Sequence, residues 1–137
     1  MEYQILIIGL CVIAWKDAML KQIPNHMLLI LVLVRSVLLF DDMTTAIASF
    51  EGFLIGGGVM LFGYLLSKGT MGAGDVKLMA VVGSYVGSDR MLQVILCSLI
   101  ASCIFGFIQL LRKKMELRHG IPFAPFVLIS VIFYYKL

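Results

Sequence analysis

Six apolar stretches dominate this chain, and few folds can accommodate them. They cover about residues 1–20, 26–40, 46–67, 75–88, 90–111 and 121–136. A helix that crosses a bilayer needs roughly 20 mostly apolar residues, fewer where neighbours shelter its ends. Of the 137 residues 61% are hydrophobic and only 14% are charged, and the mean hydropathy is +1.04. A soluble domain of this size cannot hide so much apolar surface inside one core. The expectation is an all-α, multi-pass membrane protein with about six transmembrane helices, folded as one domain over residues 1–137. The fourth stretch is the weakest. As helix, Val76 to Val86 spans only about 16 Å, so it either starts inside the membrane or continues through the glycines before it. Glu2 precedes the first apolar run where a signal peptide would carry basic residues, so that run is expected to be a retained span.

Charge orients these segments. Lys16 and Lys21 lie at the end of the first stretch, Lys68 follows the third, and Arg112, Lys113, Lys114 and Arg118 follow the fifth. The opposite connections hold Asp41 and Asp42, then Asp89 with Arg90. Because basic residues are retained on the cytoplasmic side, the first, third and fifth connections are expected there, with both termini extracytoplasmic. The net charge of +3 is scattered or sits at segment ends. That pattern suits membrane anchoring and argues against a nucleic-acid partner. Cys11, Cys97 and Cys103 form no C-x-x-C pair, so no metal site or disulfide framework is indicated and they read as small buried hydrophobes.

Two acids stand out against this background. Asp17 lies near the end of the first stretch and Asp75 at the start of the fourth, so the topology brings both to the cytoplasmic face. A carboxylate near the membrane is expensive to desolvate and needs a partner or a function. Asp17 has Lys16 and Lys21 as possible partners. Lys77 lies two positions from Asp75, a spacing that points it elsewhere on a helix. Two carboxylates converging in a low-dielectric site cannot both ionise easily. One could then activate water while the protonated one polarises a carbonyl. Such a pair titrates as a unit, and which aspartate is base and which acid stays open.

Gly72 and Gly74 flank Ala73 just before Asp75. Glycine permits backbone conformations closed to other residues and close approach of another backbone, as a peptide lying beside a catalytic acid requires. The plain alternative is a loop turn or close helix packing, and Gly56, Gly57, Gly58 and Gly63 read as packing glycines. Ile23-Pro24-Asn25 opens the second stretch, with Pro24 suited to a first turn and Asn25 a candidate cap. Ile121-Pro122-Phe123-Ala124-Pro125-Phe126 opens the sixth in the same way.

Taken together, these elements resemble the type IV prepilin peptidase family of membrane aspartyl proteases. Asp17 followed by Ile23-Pro24-Asn25 resembles the first-aspartate region, and Gly72-Ala73-Gly74-Asp75-Val76-Lys77-Leu78 matches the G-x-G-D region. The segment Ile121 to Phe126 resembles the closing proline motif, with Ala124 where a glycine is usual. The resemblance implies an aspartic-type endopeptidase of the cytoplasmic membrane. Asp17 and Asp75 would be catalytic, with Gly72, Gly74, Lys77, Pro24, Asn25 and Pro122 in support and no metal or cofactor. Its partners would be prepilin-like substrates, cut on the cytoplasmic side between a short basic leader and an apolar helix. Lys77 would anchor to lipid phosphate, the preferred reading, or touch substrate. Many bacterial relatives carry an N-terminal region with two C-x-x-C pairs associated with N-methylation. This chain starts directly with a span, so the implied comparison is with short forms serving tight-adherence pili, related pilins or preflagellins. A presenilin-like intramembrane protease and a non-enzymatic subunit of a secretion or transport complex are the alternatives.

Overall fold

The computed structural model describes residues 2–20, 22–40, 42–68, 71–112 and 121–136. Lys21, Asp41, most of the basic cluster after the fifth stretch, and the terminal residues Met1 and Leu137 lie outside the described residues. Six α-helices follow in order: α1 Glu2–Leu20, α2 Asn25–Leu38, α3 Met43–Leu66, α4 Ala73–Val86, α5 Ser88–Leu111 and α6 Ala124–Lys136. Their bounds fall within a few residues of the apolar stretches. Three of them, α1, α3 and α5, are long and apolar enough to cross a membrane. The other three have 13 or 14 residues and reach only about 21 Å at most.

The short α4 is the centre of the bundle. It packs on α1, α2, α3 and α5, and every residue from Leu78 to Tyr85 is buried. A helix enclosed on all sides needs no polar stripe, which explains why this segment reads as uniformly apolar but short. It begins at Ala73, so the glycine-rich segment is drawn into its first turn. Its tightest neighbour is α3. A Cβ added to Gly52 would collide with the Gly83 carbonyl oxygen, and one added to Gly83 would collide with that of Gly52. Gly56 is pressed against the Met79 carbonyl in the same way. These glycines let two backbones approach within a distance that any side chain would forbid.

The outer face is apolar. Ile8, Leu29, Phe62, Leu96 and Phe107 are all more than half exposed. In water this surface would drive association, whereas a bilayer takes it as solvent. The cysteines belong to this outer layer: Cys11, Cys97 and Cys103 are free and exposed, contrary to their reading as buried hydrophobes. Cys11 and Cys97 are exposed along their helices and Cys103 borders a cavity, so an apolar residue need not be buried here.

The two ends of the bundle differ. At one end Arg35 of α2 is buried at 4% exposure and holds four elements together. Its guanidinium pairs with Glu2 at 2.5 Å, donates to Ser49 Oγ at 2.8 Å and to the Ser84 carbonyl at 3.0 Å, and lies over the Tyr85 ring. The Tyr3 and Tyr135 rings meet nearby at 4.0 Å between centroids, so the first and last helices present their chain ends at this same end. The other end carries the connections after α1, α3 and α5.

Candidate active site

The described residues of those three connections help to line a cavity of about 700 Å³. Its size lies within the range of about 300–1,000 Å³ common for ligand sites. Asp17 and Asp75 both line it, together with Ile23 and Asn25 from the first connection, Gly72 and Gly74 from the second, and Pro122 and Phe123 from the third. Every candidate residue read from the sequence therefore comes to this one end, Pro24 as the cap residue of α2 and the others on the cavity wall.

The two acids are held differently. Asp17 is buried, at 5% exposure, and its Oδ2 accepts the backbone N–H of Ala124 at 3.0 Å. Ala124 is the first residue of α6. The first amides of a helix have no partner within it and form the positive end of the helix dipole, so a carboxylate there satisfies both. Among the described residues no ion pair holds Asp17, so the lysine-paired alternative finds no support at Lys16. Asp75 stands in the first turn of α4 and is half-buried. Its carboxylate accepts no hydrogen bond among the described residues, and it shares the cavity wall with Asp17. One acid is fixed by a helix end; the other faces the cavity free.

The glycines contribute space, not unusual backbone. Gly72 has φ −68° and ψ 129°, an extended conformation open to any residue, and Gly74 is helical. The only described residues with positive φ are Lys68 and Gly87. A Cβ on Gly72 would meet the Asp75 carboxylate at 3.3 Å, and one on Gly74 would meet Ile23 Cβ at 3.2 Å. Gly72 thus keeps the Asp75 carboxylate clear, and Gly74 lets the Ile23-Pro24-Asn25 segment seat against α4. The expectation of special backbone geometry is corrected to one of close approach.

Asn25 also has a different task from the one expected. The cap residue of α2 is Pro24, and no side chain caps that helix. The Asn25 Oδ1 instead accepts from Lys77 Nζ at 3.4 Å, joining α2 to α4 at the cavity rim. Among the described residues no ion pair joins Lys77 to Asp75, although both line the cavity. In the sequence Ala124 is legible only as part of the Ile121–Phe126 motif, not as the partner of Asp17, and nothing there singles out Gln22, Met71, Leu99, Ser102 and Cys103 on the cavity wall for the site.

The comparison with known families is decisive at this point: the type IV leader peptidase family matches residues 4–110, most of the chain. The chain belongs to that family. The match includes both aspartates, Ile23 to Asn25 and the whole Gly72–Leu78 segment, and ends before the Ile121–Phe126 motif. Among relatives, a prepilin leader peptidase/N-methyltransferase of Xanthomonas campestris is 36% identical over 77 residues, 55% of this chain and 27% of that protein. A protein of the same description from Bacillus subtilis is 25% identical over 127 residues, 92% of this chain and 51% of its own length. Another from Pseudomonas aeruginosa is 36% identical over 70 residues, covering 51% of this chain and 24% of the relative. The chain therefore spans between a quarter and a half of these relatives. No solved structure matches it significantly.

Proposed function

We propose that this member of the leader peptidase family is a single-domain membrane aspartic endopeptidase that removes a short basic leader from prepilin-like proteins. The observation that carries this reading is the shared cavity: Asp17 from α1 and Asp75 from α4 line one space. In the proposed reaction the two carboxylates hold one proton between them. The ionised one takes a proton from water as it attacks the scissile carbonyl, and the protonated one donates to the carbonyl oxygen. Collapse of the tetrahedral intermediate returns a proton to the leaving amine. Holding Asp17 at the start of α6 suits this work, because a fixed carboxylate stabilises the transition state without reorganising. No metal or cofactor enters the scheme.

The cavity opens, on this reading, at the cytoplasmic membrane face. Support comes from Lys16 and Lys68, which flank it in sequence while Asp42 and Asp89 lie at the opposite connections. The chain ends at the Arg35 end are then extracytoplasmic, and the protein spans the cell membrane several times. The test is leader removal from a co-expressed prepilin-like protein, with the mass of the new N-terminus measured. Cleavage just before the apolar helix is expected. No cleavage, or cleavage within the apolar helix as for an intramembrane protease, overturns the proposal.

A further inference from the structure

A second concavity begins where the first ends. The helices α2 and α3 each pack on α4 but scarcely on one another, and the gap between them is an apolar groove of about 760 Å³. Its walls follow helical spacing, with Leu28, Leu29 and Val32 on α2 and Leu54, Gly58 and Leu61 on α3, above a floor of Ala80 and Val81. From Asn25 to Val32 the groove runs about 10 Å, roughly two turns of helix. Asn25 and Lys77 line both the groove and the aspartate cavity, so the two spaces adjoin at the Lys77–Asn25 hydrogen bond.

Gly58 supplies a separate observation. A glycine within a helix costs roughly 1 kcal/mol relative to alanine, which packing usually repays. Gly52, Gly56 and Gly57 all meet α4, but a Cβ on Gly58 would meet nothing within 4 Å. Among the described residues its smallness serves no contact. Small residues of this kind let a further helix approach closely in a membrane.

We infer that this groove is the docking site for the first two turns of the apolar helix that follows the scissile bond of the substrate. The inference rests on the leader-peptidase reading above. A helix seated between α2 and α3 with its N-terminal end at Asn25 and Lys77 delivers the preceding peptide bond into the space lined by Asp17 and Asp75. The groove thereby selects membrane proteins whose helix begins at the cleavage point, and the cavity cuts them. A lipid acyl chain is the rival occupant, but it gains nothing from the glycine or from a groove end beside the aspartate cavity.

Two measurements on the full chain in membranes test this. In the first, Gly58→Leu is compared with the unaltered protein on a prepilin-like substrate and on a leader peptide that ends two residues beyond the scissile bond. The ratio of kcat/KM for the protein over the peptide should fall roughly tenfold, since filling the groove removes a helix contact but not the cut. An unchanged ratio overturns the inference. In the second, Gly58→Cys in the Asp75→Asn background is paired with single cysteines along the substrate helix. The native cysteines are replaced in these variants. Disulfides should form with the first two turns of that helix. Cross-linking no greater than from Ile100→Cys, an exposed position on α5 that lines neither space, overturns the inference and leaves lipid as the occupant. If the unaltered protein cleaves neither substrate, the peptidase reading fails, and the cross-linking alone still decides the groove.

Discussion

The Asp17 carboxylate accepts the backbone N–H of Ala124 at 3.0 Å, tying the end of α1 to the beginning of α6. Asparagine keeps a carbonyl oxygen at this position, whereas leucine removes the acceptor and leaves a helix-end amide unpaired in a buried place. Asp17→Leu should therefore destabilise the protein by about 1–2 kcal/mol more than Asp17→Asn. Unfolding midpoints in detergent check the difference.

The crossing of α3 and α4 depends on two glycines that exclude each other's side chains. Gly52→Ala and Gly83→Ala should each cost about 1–3 kcal/mol, because the colliding atom is backbone carbonyl in both cases and cannot turn aside. Gly58→Ala meets open space and should stabilise the helix by up to about 1 kcal/mol. Thermal unfolding of the three variants distinguishes contact from composition.

At the opposite end, Arg35 is a buried charge with a dedicated set of acceptors. Arg35→Ala leaves Glu2, Ser49 Oγ and the Ser84 carbonyl without their donor. Removing one partner of a buried pair typically costs about 3–5 kcal/mol. Glu2→Gln retains an oxygen for the guanidinium and lies on a residue about one-third exposed, so its effect should be much smaller. The same unfolding assay applies.

Asp42 gives a pH dependence. It caps α3, and hydrogen bonds from the Thr44 and Thr45 hydroxyls hold its carboxyl below the usual carboxylate range. A carboxyl lowered in the folded state contributes stability that is fully present above its unfolded pKa of about 3.9 and is lost as pH falls through the lower folded value. The stability difference between the unaltered protein and Asp42→Ala should hold from neutral pH to about pH 5 and shrink in stronger acid. A series of unfolding midpoints against pH measures it.

Much of this arrangement is legible in the sequence because apolar runs must become helices in a membrane. That constraint is enough to locate six helices and to bring Asp17 and Asp75 to one end. It says less about depth: α4 reads as a weak span and proves to be the buried centre, since a segment's letters do not record how many neighbours enclose it. The glycines carry the same ambiguity. Gly56 and Gly57 pack as expected, but Gly58 faces open space, and Gly52 with Gly83 forms the closest approach without a motif to announce it. A glycine reports that room is needed without naming what fills it.

Backbone groups leave even less trace. The Ile121–Phe126 motif reads as punctuation at a helix start, yet its consequence is the Ala124 amide on Asp17. Asn25 looks like a helix cap because local bonding is all that a short motif displays. Its actual partner, Lys77, lies on another helix. In each case the residue was identifiable and its contact was set by the packing of α1, α2, α4 and α6.

The most direct measurement is leader cleavage of a co-expressed prepilin-like protein by the unaltered chain, Asp17→Asn and Asp75→Asn, with the amount of each in the membrane fraction determined alongside. The account predicts that the unaltered chain removes the leader and that each substitution abolishes cleavage at an unchanged membrane level. Cleavage by either variant at a rate near that of the unaltered chain would contradict it.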